Sequence, residues 1–223
     1  MIKGYGLTDI GKVRERNEDL FLLKLPYLAA VADGMGGYHG GLEASQIAIQ
    51  TIEENLVEFT NHPGTEIKEW MISVVEKANR EIFLRSKEDQ SLSGMGTTLS
   101  VAYFANEILY WAHVGDCRIY LIQDGRGKLI TKDHTLSPQN GNKSHVLTRA
   151  LGVQDQILID TGEISLSTGD MIFLCSDGLY DLIEEKEMLE ILQEETPLEK
   201  LIKKANLAGG KDNITGVLLS IES

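Results

Sequence analysis

The alternation of hydrophobic and polar positions changes period twice along the chain, which separates strand-rich parts from helical ones. Short apolar runs predict strands over Lys3–Ile10, Asp19–Leu25 and Tyr27–Ala32. From about Glu43 to Phe59, apolar residues recur every three to four positions, which predicts an amphipathic helix. A second helix of this kind is predicted from Ile67 to near Ser86. The two helices should form a hairpin over a sheet.

The second half of the chain is mostly strands. Two helices, 186–193 and 198–207, interrupt them late, and the polar, turn-rich segment Asp133–Ser144 predicts a surface loop. Because helices are grouped instead of alternating with strands, the pattern favours an α+β layered fold with antiparallel sheets. No repeat or linker is evident, so we expect a single domain over residues 1–223. The predicted strands are 97–104, 107–114, 117–123, 128–131, 156–164, 171–175 and 214–221.

Charge and composition narrow the class of partner. The chain has 223 residues and a formal net charge of -13, which argues against nucleic acid or an anionic membrane, since both attract clustered Lys and Arg. The N-terminus lacks the apolar core of a signal peptide, and the apolar runs are shorter than the ~20 residues of a membrane helix. Cys117 and Cys175 lie in apolar runs without metal-ligand spacing. We expect a soluble, cytoplasmic protein.

Four aspartates share one local design, in which an apolar strand or strand junction ends in Asp beside Gly or Asn. Any single Asp-Gly pair is most often an ordinary turn. Together with a fifth acidic pair, Glu18-Asp19, they could converge at one edge of a layered sheet. The four aspartates are Asp33, Asp116, Asp177 and Asp212.

Convergence of these carboxylates would require either raised pKa values or bound cations. Two carboxylates ~4 Å apart repel by about 4 kcal/mol at an effective dielectric constant near 20. Oxygen ligands alone select hard cations such as Mg2+ or Mn2+, and two such ions can activate water for attack on phosphorus. Arg14 is then a natural phosphate ligand, because its guanidinium matches phosphate oxygens. The alternative for Arg14 is a surface arginine paired with Glu18.

Other kinds of site fit the sequence less well. The glycine-rich loop after Asp33 lacks the Lys-Ser/Thr ending of a phosphate-binding P-loop, and His39 stands where the third glycine of a dinucleotide motif would fall. No serine lies in a Gly-x-Ser-x-Gly elbow. His39, His113, His134 and His145 have no ligand spacing, so we expect each to be structural or solvated.

Seven stretches, in order, carry a resemblance to a known family. They are RERNED (14–19), VADGMGG (31–37), GMGTT (94–98), HVGDCRIY (113–120), LTRALG (147–152), CSDGLYD (175–181) and GGKDNIT (209–215). The chain resembles the metal-dependent Ser/Thr protein phosphatases of type 2C, in their compact bacterial form. The implied fold is a four-layer α-β-β-α sandwich, with two antiparallel sheets flanked by helix pairs.

The resemblance also implies roles for single residues at a Mn2+ or Mg2+ centre. Asp33 would bridge two ions with the Gly34 carbonyl beside it, Asp177 and Asp212 would complete the first ion, and Glu18 would hold a water of the second. Asp116, with Asp177, resembles the site of a third, weaker ion. Arg14 would bind the substrate phosphate, and Asp19 and Asn213 would support the ligands, with Asn213 orienting Asp212.

Two departures from the family pattern stand out. Met35 follows Asp33-Gly34 where many animal members carry a histidine that is a suspected general acid. Between Asp133-His134 and Leu147, about a dozen polar residues replace a longer flap that is thought to touch substrate and the third ion. Substrate specificity and the Asp116 site are the features that the short flap should affect.

The expected function is hydrolysis of phosphoserine and phosphothreonine in proteins, through a metal-bridging hydroxide. We expect a monomer that opposes a Ser/Thr kinase. Two alternatives remain open: a non-catalytic phosphoprotein-binding or regulatory module on the same fold, and a metal phosphoesterase for small molecules.

Overall fold

The computed structural model describes residues 1–36, 40–61, 66–136 and 144–222, with the backbone alone for 57–61. The strands are β1 (Ile2–Asp9), β2 (Asp19–Lys24), β3 (Leu28–Met35), β4 (Gly96–Thr97), β5 (Leu99–Ala105), β6 (Ile108–Val114), β7 (Arg118–Gln123), β8 (Arg126–Leu129), β9 (Asp160–Ser165), β10 (Met171–Cys175) and β11 (Ile214–Ile221). The helices are α1 (Gly40–Asn61), α2 (Ile67–Glu88), α3 (Asp177–Tyr180), α4 (Glu185–Ile191) and α5 (Pro197–Leu207). A short 3-10 helix, Gln90–Leu92, follows α2.

The strands form two sheets. One has five strands in the order β1-β11-β10-β7-β8, and the other has the order β2-β3-β5-β6-β9, with β4 paired to β3 as its sixth strand. Every strand pairing in the described part of the chain is antiparallel. The sequence expectation of antiparallel sheets is therefore confirmed.

Three apolar cores separate four layers. The inward faces of the two sheets pack on each other through residues such as Val31, Ile119 and Val217. Helices α1 and α2 cover the outer face of the six-stranded sheet, where Ile52 and Ile82 are buried. Helices α3, α4 and α5 cover the five-stranded sheet. Strands buried on both faces read as continuous apolar runs, which is why the alternation of polar residues is weak in the sequence. The α-β-β-α sandwich is confirmed.

Several element bounds differ from the sequence prediction, and each difference has a local cause. β3 runs on to Met35 instead of ending at Ala32, because Gly34 and Met35 pair with β4. The strand expected from Gln156 begins at Asp160, where pairing with His113 starts. The prediction also lacked α3, which is too short to show a period, and it joined β4 and β5 into one strand from Thr97. The flap residues 137–143 lie outside the described part of the chain.

Candidate metal centre and active site

Strand ends bring the predicted acidic residues to one edge of the sandwich. Asp33 lies near the end of β3, Asp116 follows β6, Asp177 begins α3 directly after β10, and Asp212 precedes β11. They line one pocket of about 720 Å³. The predicted site residues that line it are Arg14, Glu18, Asp33, Gly34, Asp116, Asp177, Asp212 and Asn213.

Gly34 allows three segments to meet at this edge. Its N–H donates to the carbonyl oxygen of Glu18 at 3.2 Å. A Cβ atom at Gly34 would lie 2.2 Å from the Gly41 carbonyl oxygen, so no larger residue fits beside the first turn of α1. The glycine after Asp33 is therefore required by close packing, while its backbone still lines the pocket.

The carboxylates are packed closely enough to disturb one another's ionisation. Burial raises the pKa of Asp33 well above its usual range, and the carboxylates of Asp19 and Asp177 raise it further. Burial, followed by Asp116 and Asp212, has the same effect on the pKa of Asp177. The pKa of Asp116 rises to about 6 through burial and the nearby Asp133. The convergence of carboxylates at one edge, predicted from the sequence, is therefore present.

The donor set fits divalent cations. The Oδ1 atoms of Asp19 and Asp177 are buried and have no hydrogen-bond partner within the described ranges, a costly state for a carboxylate oxygen. A cation in the pocket would relieve the repulsion among the carboxylates. The set consists of carboxylate and backbone oxygens, which suits Mn2+ or Mg2+.

Asp19 differs from the other acidic residues because it lies behind the pocket. It is 1% exposed, and its Oδ2 accepts a hydrogen bond from the Ser176 hydroxyl at 2.6 Å. Burial raises its pKa to about 6, although the Ser176 hydrogen bond opposes that rise. Asp19 thus ties β2 to the segment before Asp177.

Arg14 lies at the rim of the pocket and pairs with Asp212. Its Nη2 atom is 2.6 Å from Asp212 Oδ2, and the Arg14 side chain is 53% exposed. This hydrogen bond raises the pKa of Arg14, so the guanidinium stays charged beside the pocket. The partner is thus Asp212, where the alternative from sequence was Glu18.

Asn213 joins two distant parts of the chain at the pocket. Its side-chain Oδ1 accepts from the Glu18 N–H at 2.9 Å, and its Nδ2 donates to the carbonyls of Ile10 and Arg16. Its backbone N–H donates to Asp212 Oδ1 at 2.9 Å. The contact to Asp212 expected from the sequence is present, but the backbone makes it. The side chain holds the segment that carries Arg14 and Glu18.

Sequence reasoning missed the residues that brace Asp33. The Asp33 N–H donates to Thr98 Oγ1 at 3.0 Å, and Thr97 Oγ1 donates to the Asp33 carbonyl at 2.9 Å. Both threonines are buried. They belong to the GMGTT stretch, in which the sequence alone assigns no role to single residues.

A second missed group surrounds the Asp116 turn. Arg118 holds Asp133 through two hydrogen bonds, of 3.0 and 2.7 Å, and its guanidinium lies 3.6 Å from the ring centroid of Tyr180. The Tyr180 hydroxyl donates to the Asp116 carbonyl at 3.0 Å. The side chains that position Asp116 thus come from β7 and α3, which no local sequence pattern connects.

The histidines have different positions from one another. His113 and His134 are buried, and their rings contact each other at a tilt of 44° with centroids 4.7 Å apart, in agreement with structural roles. His145 is exposed, as expected, but it lines the pocket and its Nδ1 is 3.2 Å from Asp181 Oδ2. Ligand atoms of His145, Asp177 and Asp181 all lie within 4.8 Å of one another. His39 lies outside the described residues.

Comparison with known proteins decides the family. The sequence profile described as Protein phosphatase 2C matches residues 15–209. The chain belongs to the protein phosphatase 2C family. The matched range includes every acidic residue of the pocket except Asp212, which follows it within three positions.

Relatives of this phosphatase family align over nearly the whole chain. "Serine/threonine phosphatase stp" of Listeria monocytogenes is 37% identical and aligns over 95% of this chain and 93% of its own length. "Protein phosphatase PhpP" of Streptococcus pneumoniae is 33% identical, with 96% of each chain covered. The similarity therefore extends across both sheets.

Solved structures of the family agree with the fold. The Mycobacterium tuberculosis serine/threonine phosphatase PstP superposes with a TM-score of 0.90 at 31% identity, covering 100% of this chain and 99% of the other. A structure of the PstP catalytic domain in complex with two manganese ions also has a TM-score of 0.90, at 32% identity and the same coverage. The two-ion complex belongs to that protein, whose fold matches throughout. Among the described helices of the present chain, none combines the length and apolarity needed to cross a bilayer.

Proposed function

We propose that this chain is a protein serine/threonine phosphatase that hydrolyses phosphoserine and phosphothreonine esters at a manganese or magnesium centre. The observation that carries the proposal is the convergence of Asp33, Asp177 and Asp212 in one pocket, with the Asp177 Oδ1 atom buried and without a hydrogen-bond partner in the described chain. The names of the Listeria and Streptococcus relatives support the same activity.

Each acidic residue then has a role toward the ions. Asp33 would be shared by two ions, with the Gly34 carbonyl beside it, and Asp177 and Asp212 would complete one of them. Glu18 would hold water on the other ion, and Asp116 with Asp177 would hold a third. When bound, such ions supply Lewis acidity and lower the pKa of coordinated water.

The other residues of the pocket bind and orient. Arg14 would hold the phosphate of the substrate, because a guanidinium at the rim can donate two parallel hydrogen bonds to phosphate oxygens. Asn213 keeps the Arg14–Glu18 segment against the start of β11. Met35 has no titratable proton, so protonation of the leaving serine or threonine does not come from the residue after Asp33-Gly34.

The structure weighs against one of the two alternatives and leaves the other to the choice of substrate. A non-catalytic module would have no need for carboxylates crowded at a cost, yet burial and neighbouring charges raise the pKa of Asp33 and of Asp177. A phosphoesterase for small molecules would use the same chemistry, so only its choice of substrate distinguishes it from a protein phosphatase. The whole chain would act as one catalytic domain, a cytoplasmic monomer opposing a Ser/Thr kinase.

The test is hydrolysis of p-nitrophenyl phosphate and of a phosphothreonine peptide, with Mn2+ and with a chelator. We expect activity on both substrates that requires the metal and is lost in Asp33→Asn. Asp124→Asn is the matched control, because Asp124 is exposed in the β7–β8 turn and its positive φ of 49° suits asparagine. Inactivity with Mn2+ in the wild type, or equal rates in Asp33→Asn, would refute the proposal. Activity on small phosphates alone would favour the phosphoesterase.

A further inference from the structure

A second concavity opens beside the catalytic pocket. It lies between the exposed face of α2 and residues 147–158, has a volume of about 1130 Å³, and is called the α2 groove below. Met35 and Leu147 line both the α2 groove and the catalytic pocket. The two spaces therefore adjoin at these side chains, and a chain whose phosphorylated residue lies in the pocket can reach the groove past them.

Met35 forms the step between the two spaces together with Val153. A Cβ atom at Gly96 would lie 2.9 Å from Met35 Cε and 3.2 Å from Val153 Cγ2, so both side chains pack over this glycine. The residue that follows Asp33-Gly34 thus supplies apolar surface at the exit of the pocket. Met35 thus has a role of its own at the position where many animal members of the family carry a histidine.

The floor of the α2 groove is held firmly. Asn79 on α2 is 1% exposed, and its Nδ2 donates to the carbonyls of Gln154 and Asp155 at 2.9 and 3.0 Å. Its Oδ1 accepts from the Gly152 N–H at 2.8 Å. A buried amide satisfied on both sides fixes the 152–155 turn against the helix, so the groove exists before a partner arrives.

The walls of the α2 groove offer apolar and cationic contacts. Leu158 is 73% exposed and Val153 is 47% exposed, and large apolar side chains grouped on a surface mark a binding face. Lys77 and Arg80 are exposed on α2. The salt bridge of Arg80 to Asp155 is long, at 3.9 Å between exposed side chains, so it competes weakly with a partner. Glu76 and Asp155 line the same groove, so its charge is mixed, and Lys77 and Arg80 are its cations on α2.

We infer that the α2 groove binds the extended segment that flanks the phosphorylated residue of a protein substrate. An apolar side chain of that segment packs on Met35, Val153 and Leu158, and an acidic one pairs with Lys77 and Arg80. The inference rests on the proposed protein phosphatase activity and adds the sequence preference of the substrate. The position of the groove, which shares Met35 and Leu147 with the catalytic pocket, identifies this occupant.

The experiment compares substrates that fill the pocket alone with substrates that reach the groove. p-Nitrophenyl phosphate serves as the first kind. The second kind consists of phosphothreonine peptides that carry an apolar and an acidic residue near the phosphorylated position, on either side of it. Matched peptides carry serine in place of the apolar residue or lysine in place of the acidic one. The enzyme variants are Leu158→Ser and the double variant Lys77→Glu/Arg80→Glu. Their controls are Leu207→Ser, at the same 73% exposure on α5, and Lys186→Glu, 88% exposed on α4.

Leu158→Ser should lower kcat/KM for the apolar peptide by about three- to tenfold, the scale of one partly buried apolar contact. The double variant should reverse the preference for acidic over lysine-bearing peptides. Rates on p-nitrophenyl phosphate should stay within twofold of wild type, and both control variants should behave as wild type on every substrate. Equal losses in Leu158→Ser and Leu207→Ser, or no discrimination among peptides by the wild type, would overturn the groove and leave the phosphatase proposal intact. A wild type that hydrolyses only p-nitrophenyl phosphate would refute both.

Discussion

Asp19 lies directly opposite Asp33 in the antiparallel register of β2 and β3. Asp33 faces the pocket, while Asp19 lies behind it and accepts the Ser176 hydroxyl at 2.6 Å. Burial raises the pKa of Asp33, and the nearby carboxylate of Asp19 raises it further. Burial also raises the pKa of Asp19, to about 6. The metal-free protein therefore stores repulsion at the place where cations would bind.

Removing the Asp116 carboxylate should relieve a second cost of burial and repulsion at this edge in the absence of metal. The pKa of Asp116 is about 6 in the folded chain, against about 3.9 for an unfolded aspartate. Because the folded pKa is the higher one, the contribution of Asp116 to stability is complete below about pH 4 and is lost as the pH rises through 6. Asp116→Asn should therefore gain stability relative to wild type between pH 4 and 7.

The measurement is the difference in Tm between wild type and Asp116→Asn, in chelator, at several pH values. Buried His113, whose pKa is lowered to about 4, makes the folded chain more stable as the pH rises over the same range. Because His113 is present in both proteins, its effect cancels in the difference. Addition of Mn2+ at pH 7.5 should raise the wild-type Tm more than that of the variant. A difference that is constant with pH would contradict the prediction.

Ser176→Ala should destabilise the chain. The serine is fully buried and bonds both Asp19 Oδ2 and the Thr215 N–H, so its removal leaves a buried carboxylate oxygen without a donor, at a cost of about 1–3 kcal/mol. Ser91→Ala is the control, because Ser91 makes a similar 2.6 Å hydrogen bond to Asp89 on the surface. Urea unfolding of the metal-free proteins measures the loss in the free energy of unfolding. Equal losses in the two variants would show that burial of the Ser176–Asp19 pair is unimportant.

Arg118→Lys should weaken the support of Asp116. Lysine keeps the charge but loses the paired hydrogen bonds to Asp133 and the planar contact with Tyr180. We expect a loss of about 1–3 kcal/mol in the free energy of unfolding, with a larger Mn2+ concentration needed for half-maximal activity. Arg126→Lys, at an exposed position of β8, should change neither quantity. An unchanged Mn2+ requirement in Arg118→Lys would argue against positioning of Asp116.

Arg14→Ala should impair substrate binding more than chain stability. The arginine is half-exposed and pairs with Asp212, so its loss leaves the layers intact while removing a charge-assisted contact to phosphate. Such contacts are worth about 1.5–3 kcal/mol, which corresponds to an increase in KM of about ten- to a hundredfold. Steady-state kinetics on p-nitrophenyl phosphate, with inorganic phosphate as competitor, measure it. If KM and phosphate inhibition stay at wild-type values, Arg14 has no role in phosphate binding.

Much of the fold was accessible from the sequence because its long elements have clear periods. Helices α1 and α2 bury one face each, and that face recurs every three to four residues. The end of β3 was predicted too early, because pairing of Gly34 with Thr97 depends on a residue more than sixty positions away. The one-turn helix α3 is likewise set by packing against β11, where a Cβ at Gly178 would lie 2.0 Å from the Asn213 carbonyl.

For the site, the sequence by itself determined which residues are candidates for the chemistry, since carboxylates beside glycine at strand ends are visible one by one. Only the tertiary structure decided their arrangement: Asp19 behind the pocket, Arg14 on Asp212, and Asn213 bonded by its side chain to the Glu18 backbone. The α2 groove was equally hidden, because Met35, Asn79 and Leu158 come together through packing alone. The local sequence pattern indicates which residues of a segment can be buried and which can act as ligands. The distances between segments are set by how the layers pack on one another.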